Sequence, residues 1–419
     1  EEISAWPAAG NGRVSHAADG RTLLVGSTID ASAALLDVGP RGELGGVATC
    51  EGFVPAGSLV VGAGRAAFMS DCGDLERGGR IEVVDLASLR KVASHLGWGA
   101  QRMAISPDGA LIAAQEQTSM TGQGPVRLID PATGSVVRTL EGLCSWDWLP
   151  DGSKDPGPGC RTFPEPPFPM WAAELRWSPD GALIAMAEGP QVALWSAADG
   201  RLRATHELGE DASYQSIAFT PDSRELLLTE NGSGRIARLS VDGLAVLQST
   251  ALDPDVFGIA QLRLIGHTPD GKTILAVGDQ NGDGGAAVFG LDAETLQIVR
   301  SVPDAHLGSP KSFAISPDRS TFATGASDGK IKVWDSATGE LLQQLSIGGR
   351  QVQGLAFVDD HRLAALPREG GLLLMTIDPA ELVAALRGSL TRGLTASECA
   401  TYAIDPCPTL EKLRSEPAP

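Results

Sequence analysis

Apolar residues in this chain come in short runs, each entered through a polar turn, and one phrase recurs. "SPDGALIA" stands at 106–113 and again at 178–185, 72 positions apart. Its first four residues suit a type I turn, with Ser first, Pro presetting φ at the second position and Gly at the fourth. Leu-Ile-Ala then opens a buried strand, so the phrase predicts a turn followed by a strand. Looser copies follow: "TPDSRELLL" at 220–228, "TPDGKTILA" at 268–276 and "SPDRSTFAT" at 316–324. Degenerate forms begin at Ala17 ("AADGRTLLV"), Gly62 ("GAGRAAFM") and Val358 ("VDDHRLAAL").

Aligned on the Asp position, the copies fall at Asp19, Gly64, Asp108, Asp180, Asp222, Asp270, Asp318 and Asp360, with intervals of 45, 44, 72, 42, 48, 48 and 42. Six of these sit near the ~40–45-residue period of a four-stranded propeller blade. The long interval marks an insertion at 141–172. Residues 310–346 spell one blade in full. An inner strand at 311–316 leads through the Pro-Asp turn to 321–326, Asp328-Gly329 makes a tight hairpin, and strands follow at 330–335 and 340–345.

The phrases "SPD", "SDGKIKVWD" and "ATGE" in that stretch resemble a WD-repeat β-propeller blade. The resemblance implies that His306, Thr324, Asp328 and Trp334 form the buried hydrogen-bonded tetrad of such blades, although Ala305 stands where the family's Gly-His dipeptide has Gly. The expected fold is all-β. Eight copies imply eight blades, with "EEISAW" at 1–6 supplying the outer strand that closes the ring and removes exposed edges. Seven is the alternative, in which the first copy is something else. The propeller is expected over 1–378 and a short helical tail over 379–419. Asp378–Glu381 and Thr395–Glu398 read as capping boxes, and Leu382, Leu386 and Leu390 recur every four residues. The ending "RGLTASECATYAIDPCP" is similar to that of propellers in large bacterial, mostly actinobacterial, signalling proteins.

The 419 residues carry a net charge of −19, which argues against nucleic acid, since that needs a basic face. No run of about 18 apolar residues offers a membrane span, so any tether belongs to an upstream part. Six cysteines form three local couples, Cys50/Cys72, Cys144/Cys160 and Cys399/Cys407. Fifteen connectivities are open in principle. Local disulfides in an oxidising, extracytoplasmic compartment are the expectation, because no CxxC or Cys/His cluster suggests zinc.

Candidate chemistry is sparse. "GASDG" at 325–329 matches GxSxG, but a nucleophile elbow needs a strand-to-helix turn and here a hairpin is expected. In "DQNGDGG", Asp279, Asn281 and Asp283 occupy positions 1, 3 and 5 of a calcium-type loop, yet Gly290 stands where the closing Glu would be. Calcium is the only metal the sequence suggests, and a plain hairpin is the competing reading. The starts of the inner strands, at Gln101-Arg102, Glu174, Gln215, Arg263, Lys311 and Gln353, form a mixed polar collar without paired acids. Aromatics are more telling: Phe53, Trp98, Trp146, Trp148, Phe163, Phe168, Trp171, Tyr214 and Phe257 all map to loops on one face. They suit either an interface, where Trp and Tyr anchor partners, or a packed lid over the channel. The expected function is a non-catalytic docking or sensing module that binds a protein or small ligand through this top face. The competing class is a secreted propeller hydrolase or lyase working at the channel mouth.

Overall fold

The computed structural model describes residues 13–16, 22–26, 33–37, 43–47, 59–70, 80–96, 102–117, 123–140, 146–148, 154–156, 174–208, 213–231, 233–252, 259–280, 285–347, 349–368, 371–378, 380–381, 393–401 and 406–411. Among these, seven four-stranded sheets follow one another, each antiparallel and meandering from an inner to an outer strand. Their inner strands are Leu59–Gly62, Met103–Ile105, Glu174–Trp177, Tyr214–Phe219, Ile259–His267, Pro310–Ile315 and Val352–Phe357. Each packs beside the next, and Val352–Phe357 returns to Leu59–Gly62, so the inner strands form a closed ring. We number the blades 1 to 7 in that order.

Seven blades is the alternative of the two readings, and the first copy is what differs. Residues 13–37 make a three-stranded sheet of their own, Arg13–His16, Thr22–Gly26 and Ala33–Asp37. The fourth strand of blade 7 is Glu43–Val47, hydrogen-bonded beside Leu372–Thr376. The closing strand is therefore not the expected 1–6, which lies outside the described residues.

Apolar side chains pack between blades, since each sheet has two faces to cover. Leu59, Phe68 and Val84 of blade 1 pack with Leu366 and Leu372 of blade 7, so closure is also made by apolar burial. Met69 and Val83 meet Met103 and Ile129 across blades 1 and 2. Ile236 and Leu252 meet Leu262 and Phe289 across blades 4 and 5.

The recurring turn explains its own residues. Ser106 Oγ donates to Asp108 Oδ1 at 2.6 Å and accepts from the Leu111 amide at 2.9 Å, while Gly109 N donates to the Ser106 carbonyl. Ser178, Thr220, Thr268 and Ser316 repeat the hydroxyl–Asp bond. Gly109 has φ 69°, and a Cβ there would lie 2.3 Å from that of Ala63. Ser223 and Arg319 occupy the same turn position at φ 62° without being glycine. Ser223 has a use there: its Oγ accepts the Asp180 amide of the preceding blade at 3.1 Å.

A separate compact unit comprises residues 1–44 and 375–419. In it, Asp378 Oδ1 accepts the Ala380 and Glu381 amides, as a helix cap does. Glu381 does not reach back to the cap amide. It accepts the Thr376 hydroxyl at 2.6 Å instead. A short helix, Ala396–Thr401, holds Cys399, which is bonded to Cys407 with a Cα–Cα distance of 5.5 Å. Leu382, Leu386 and Leu390 lie outside the described residues.

Candidate functional site

In each antiparallel blade the first and third turns share one end of the ring, and the hairpins between second and third strands share the other with the loops that join blades. The second end is the top face. Blade 6 is anchored there by four side chains. His306 Nδ1 lies 3.3 Å from Asp328 Oδ2, and its Nε2 lies 2.8 Å from Thr324 Oγ1. Trp334 Nε1 donates to the same Oγ1 at 2.9 Å. One proton arrangement gives every atom a partner: His306 donates from Nδ1 to Asp328, Thr324 donates to Nε2, and Trp334 donates to Thr324. Burial works against the Asp328 carboxylate, but the His306 hydrogen bond and the Lys330 and Leu307 amides outweigh it and hold its pKa below the usual range. Trp334 stacks on Phe322, and Lys332 lies over its ring. All four members of the set are committed to one another.

Neighbouring top-face segments are tied edge to edge. Ser327 N donates to the Ser309 carbonyl, Ile347 N to Gly329 and Arg368 N to Gln351. Gly308 packs so close that a Cβ would lie 2.4 Å from Ser327 Oγ. Gly329, at φ 73°, faces the backbone of Gly349 and Arg350. These contacts tie the blade 6 hairpin to the segments that enter and leave that blade, and the end of blade 7's second strand to the segment that enters it. Leu307, in the segment that enters blade 6, is 87% exposed.

The structure separates the other expected site residues. Phe53, Trp98, Phe163, Phe168, Trp171 and Phe257 lie outside the described residues, as do Cys50, Cys72, Cys144 and Cys160. Trp146 and Trp148 are not in a loop: they begin and end the strand Trp146–Trp148, which pairs with Lys154–Pro156 in a two-stranded sheet within the insertion. Tyr214 is a correction. It starts the inner strand of blade 4 and is 1% exposed, packed with Ile217 and Leu228. Burial, reinforced by Glu230, pushes its hydroxyl pKa well up, and that hydroxyl has no hydrogen-bond partner among the described residues.

Asp279 falls within the strand Thr273–Gln280, opposite Ala286, while Asn281 and Asp283 lie outside the described residues. Among the described residues no group of three or more His, Cys, Asp or Glu side chains is placed to hold a metal. The GxSxG match is a β-hairpin between Thr321–Ala326 and Lys330–Asp335. In the collar, Glu174 binds across blades: Oε2 accepts the Ser216 hydroxyl at 2.8 Å and the Ile217 amide at 2.6 Å, and Oε1 accepts from Arg176. Gln215 and Gln353 are buried, and Arg263 and Lys311 are half-buried. Sequence reading passed over Leu307, Lys330, Arg350 and Arg368, whose signal is position alone: each borders a top-face turn.

Comparison with known proteins agrees with this geometry. Residues 297–335 match the family "WD domain, G-beta repeat". The chain is 31% identical over 153 residues to "WD repeat-containing protein SL1-17" of Schistosoma mansoni, covering 36% of this chain and 46% of that protein. It is 26% identical over 184 residues to "NACHT domain- and WD repeat-containing protein 1" of Mus musculus, covering 43% of this chain and 11% of that one. The chain spans less than half the length of these curated relatives, both of them eukaryotic. The β-propeller domain of Cps50 (Swd1) from Myceliophteria_thermophila superposes with a TM-score of 0.56 at 14% identity, covering 81% of this chain and all of that one. The fold is thus an all-β, WD-like propeller of seven blades. Propellers of this class generally serve as scaffolds for protein interaction. No helix among the described residues is long and apolar enough to cross a membrane.

Proposed function

We propose that this propeller is a non-catalytic docking module that takes a protein partner on its top face, at the rim of blades 5 to 7. The observation that carries the reading is Leu307, an apolar side chain 87% exposed on a rim segment whose backbone is held by the bond from its own amide to Asp328. Rigid presentation lowers the entropic cost of association. Enzyme chemistry is the weaker reading, because the best placed acid and base are spent on structure: His306 and Asp328 on blade 6, Glu174 on the seam between blades 3 and 4. We infer further that the module works in an extracytoplasmic, oxidising compartment as part of a larger signalling protein. The Cys399–Cys407 bond supports the compartment. The mouse relative, which by its name combines WD repeats with a NACHT domain, supports a multi-module setting.

The test places a photo-crosslinking residue at Leu307 and, as control, at Val299 on the outer strand of blade 5. Irradiation in an extract of the source organism should give an adduct specific to position 307 and competed by unlabelled propeller. Equal labelling at both positions, or none at 307, overturns the reading.

A further inference from the structure

The seven inner strands surround the central channel. Each pairs with its blade along one edge only, so its other edge, and the side chains that lean past it, face that channel. Their charge differs in sign from that of the whole chain. The only acid on any of them is Glu174, against the cations Arg176, Arg263 and Lys311. Glu174 is held by Arg176 and by Ser216 and Ile217 of blade 4. Arg263 and Lys311 stand on adjacent blades, are half-buried, and have neither a hydrogen bond nor an ion pair to any described residue. Arg263 lies midway along Ile259–His267 between buried Leu262 and Leu264, on a strand with no outward face, so its exposed part meets solvent in the channel. Lys311 sits at a bulge. In blades 4 to 7 the pairing of first and second strands shifts by one residue at the same level, leaving Gln215, Ala260, Lys311 and Gln353 as the extra residue. An extra residue of this kind leaves the ladder, and its side chain is re-aimed. Gln353, on the blade after Lys311, is 5% exposed. Its Nε2 donates to Gln351 Oε1 at 3.4 Å, but its own buried Oε1 has no partner among the described residues.

We propose that the channel wall of blades 5 to 7 binds a small hydroxylated oxyanion, a phosphate monoester or a hydroxy acid. Arg263 and Lys311 take its charged end, and a hydroxyl donates to Gln353 Oε1. The site is separate from the top-face docking surface and stands or falls without it. Guanidinium and ammonium groups are donors without acceptors, suited to phosphate and carboxylate oxygens. A buried amide oxygen without a partner is costly, and a ligand hydroxyl relieves that cost. A chain with a net charge of −19 repels small anions from most of its surface, whereas a narrow cleft lined by cations draws them in.

Calorimetric titration of the whole chain tests this with two pairs of probes, glucose 6-phosphate against inorganic phosphate and malate against succinate, and with glucose as the neutral control. The hydroxylated member of at least one pair should bind more tightly than its bare partner, and glucose should not bind. The pair that responds identifies phosphate or carboxylate as the source of the charge. Arg263→Gln with Lys311→Gln should lower the affinity about tenfold or more, and Gln353→Leu should erase the preference within the pair. Lys272→Gln, on an exposed turn of blade 5, should bind as the wild type does. Melts without ligand separate binding from structure. Cations that no described residue pairs with should be removable without lowering the melting temperature, whereas structural ones would lower it. If the double variant unfolds, Lys311→Gln alone serves, because Lys311 lies near the start of its strand. Failure of all four anions to bind, equal binding of glucose, or undiminished binding in the cation variants overturns the proposal. An unchanged preference in Gln353→Leu overturns the hydroxyl contact.

Discussion

Arg138 of blade 2 lies across Gly200 of blade 3: its Nη1 donates to the Ala197 carbonyl at 2.9 Å, and a Cβ on Gly200 would sit 2.5 Å from its Cδ. Arg300 repeats the arrangement three blades on, bonding the Ser336 and Ala337 carbonyls and covering Gly339. Blades 4 and 5 solve the same turn differently. Leu244 and Leu296 take the glycine's place at φ 56° and 60° and bury their own side chains. At the blade 2–3 and 5–6 seams the earlier blade's Arg fills the gap, at the 3–4 and 4–5 seams the later blade's Leu does, and at the 1–2 seam His95 lies against Gly134.

Gly339→Ala should therefore cost about 1–3 kcal/mol of unfolding free energy, from left-handed strain plus displacement of Arg300. Gly271→Ala has φ 70° but open space around the new Cβ, so it should cost only the strain. Denaturant titration of both variants reads the difference. Equal losses would mean that Arg300 yields freely and the seam is not tightly filled.

His267 gives the pH dependence. Burial, then repulsion from Arg319 and Arg238, lowers its pKa from 6.5 to about 4, with Asp222 pulling the other way. The unfolded chain takes up this proton first as pH falls. Its contribution is thus fully present above pH 6.5 and is lost on descent towards pH 4, amounting to roughly 3 kcal/mol in full. Unfolding curves at about pH 7 and pH 5 should differ accordingly, and His267→Phe, matching Phe219 at the equivalent place in blade 4, should flatten the dependence. An unchanged slope in that variant would remove His267 as its source.

Thr324→Val keeps the volume of the blade 6 set but removes the oxygen that Trp334 and His306 share. Two buried groups then lose their partner, which should cost about 1–3 kcal/mol. Thr324→Ser, retaining the hydroxyl, should recover most of it. Comparable melts for Val and Ser would show that the hydroxyl matters less than the packing.

Peptide mapping without reductant should recover Cys399 and Cys407 as one linked pair. Cys399→Ser should lower the stability of the unit that contains them by about 2.5 kcal/mol, the entropy of an eight-residue closure. Free thiols at both positions in protein prepared without reductant would undercut the extracytoplasmic reading.

Local chemistry was legible and distant pairing was not. The Ser-Pro-Asp-Gly turn announces itself because hydroxyl, imide ring and carboxylate each satisfy a need within six residues. The strand Glu43–Val47 does not: "ELGGV" has two glycines and no alternation, and its partner Leu372–Thr376 lies more than 300 positions on. The first copy has the turn and strand signals of a blade, yet its sheet has three strands, a difference that only strand pairing reveals. Tyr214 falls in a loop when the inner strand is expected to start at Gln215, but the strand begins one residue earlier and buries the ring. His267 stands where a blade neighbour has Phe, and a lone polar residue in an apolar slot carries no periodic signature.

Because Glu43–Val47 completes the last blade, the order of synthesis and the order of assembly conflict. On the ribosome the early strand emerges long before Leu372–Thr376, and until then its edge has no native neighbour. Blades 1 to 6 can form in sequence as they appear, each against the one before. The seventh must wait, and the circle stays open for that interval. A nascent chain stalled after blade 6 would expose the flank of blade 1 that Leu366 and Leu372 later cover, a surface suited to chaperones until the final blade arrives.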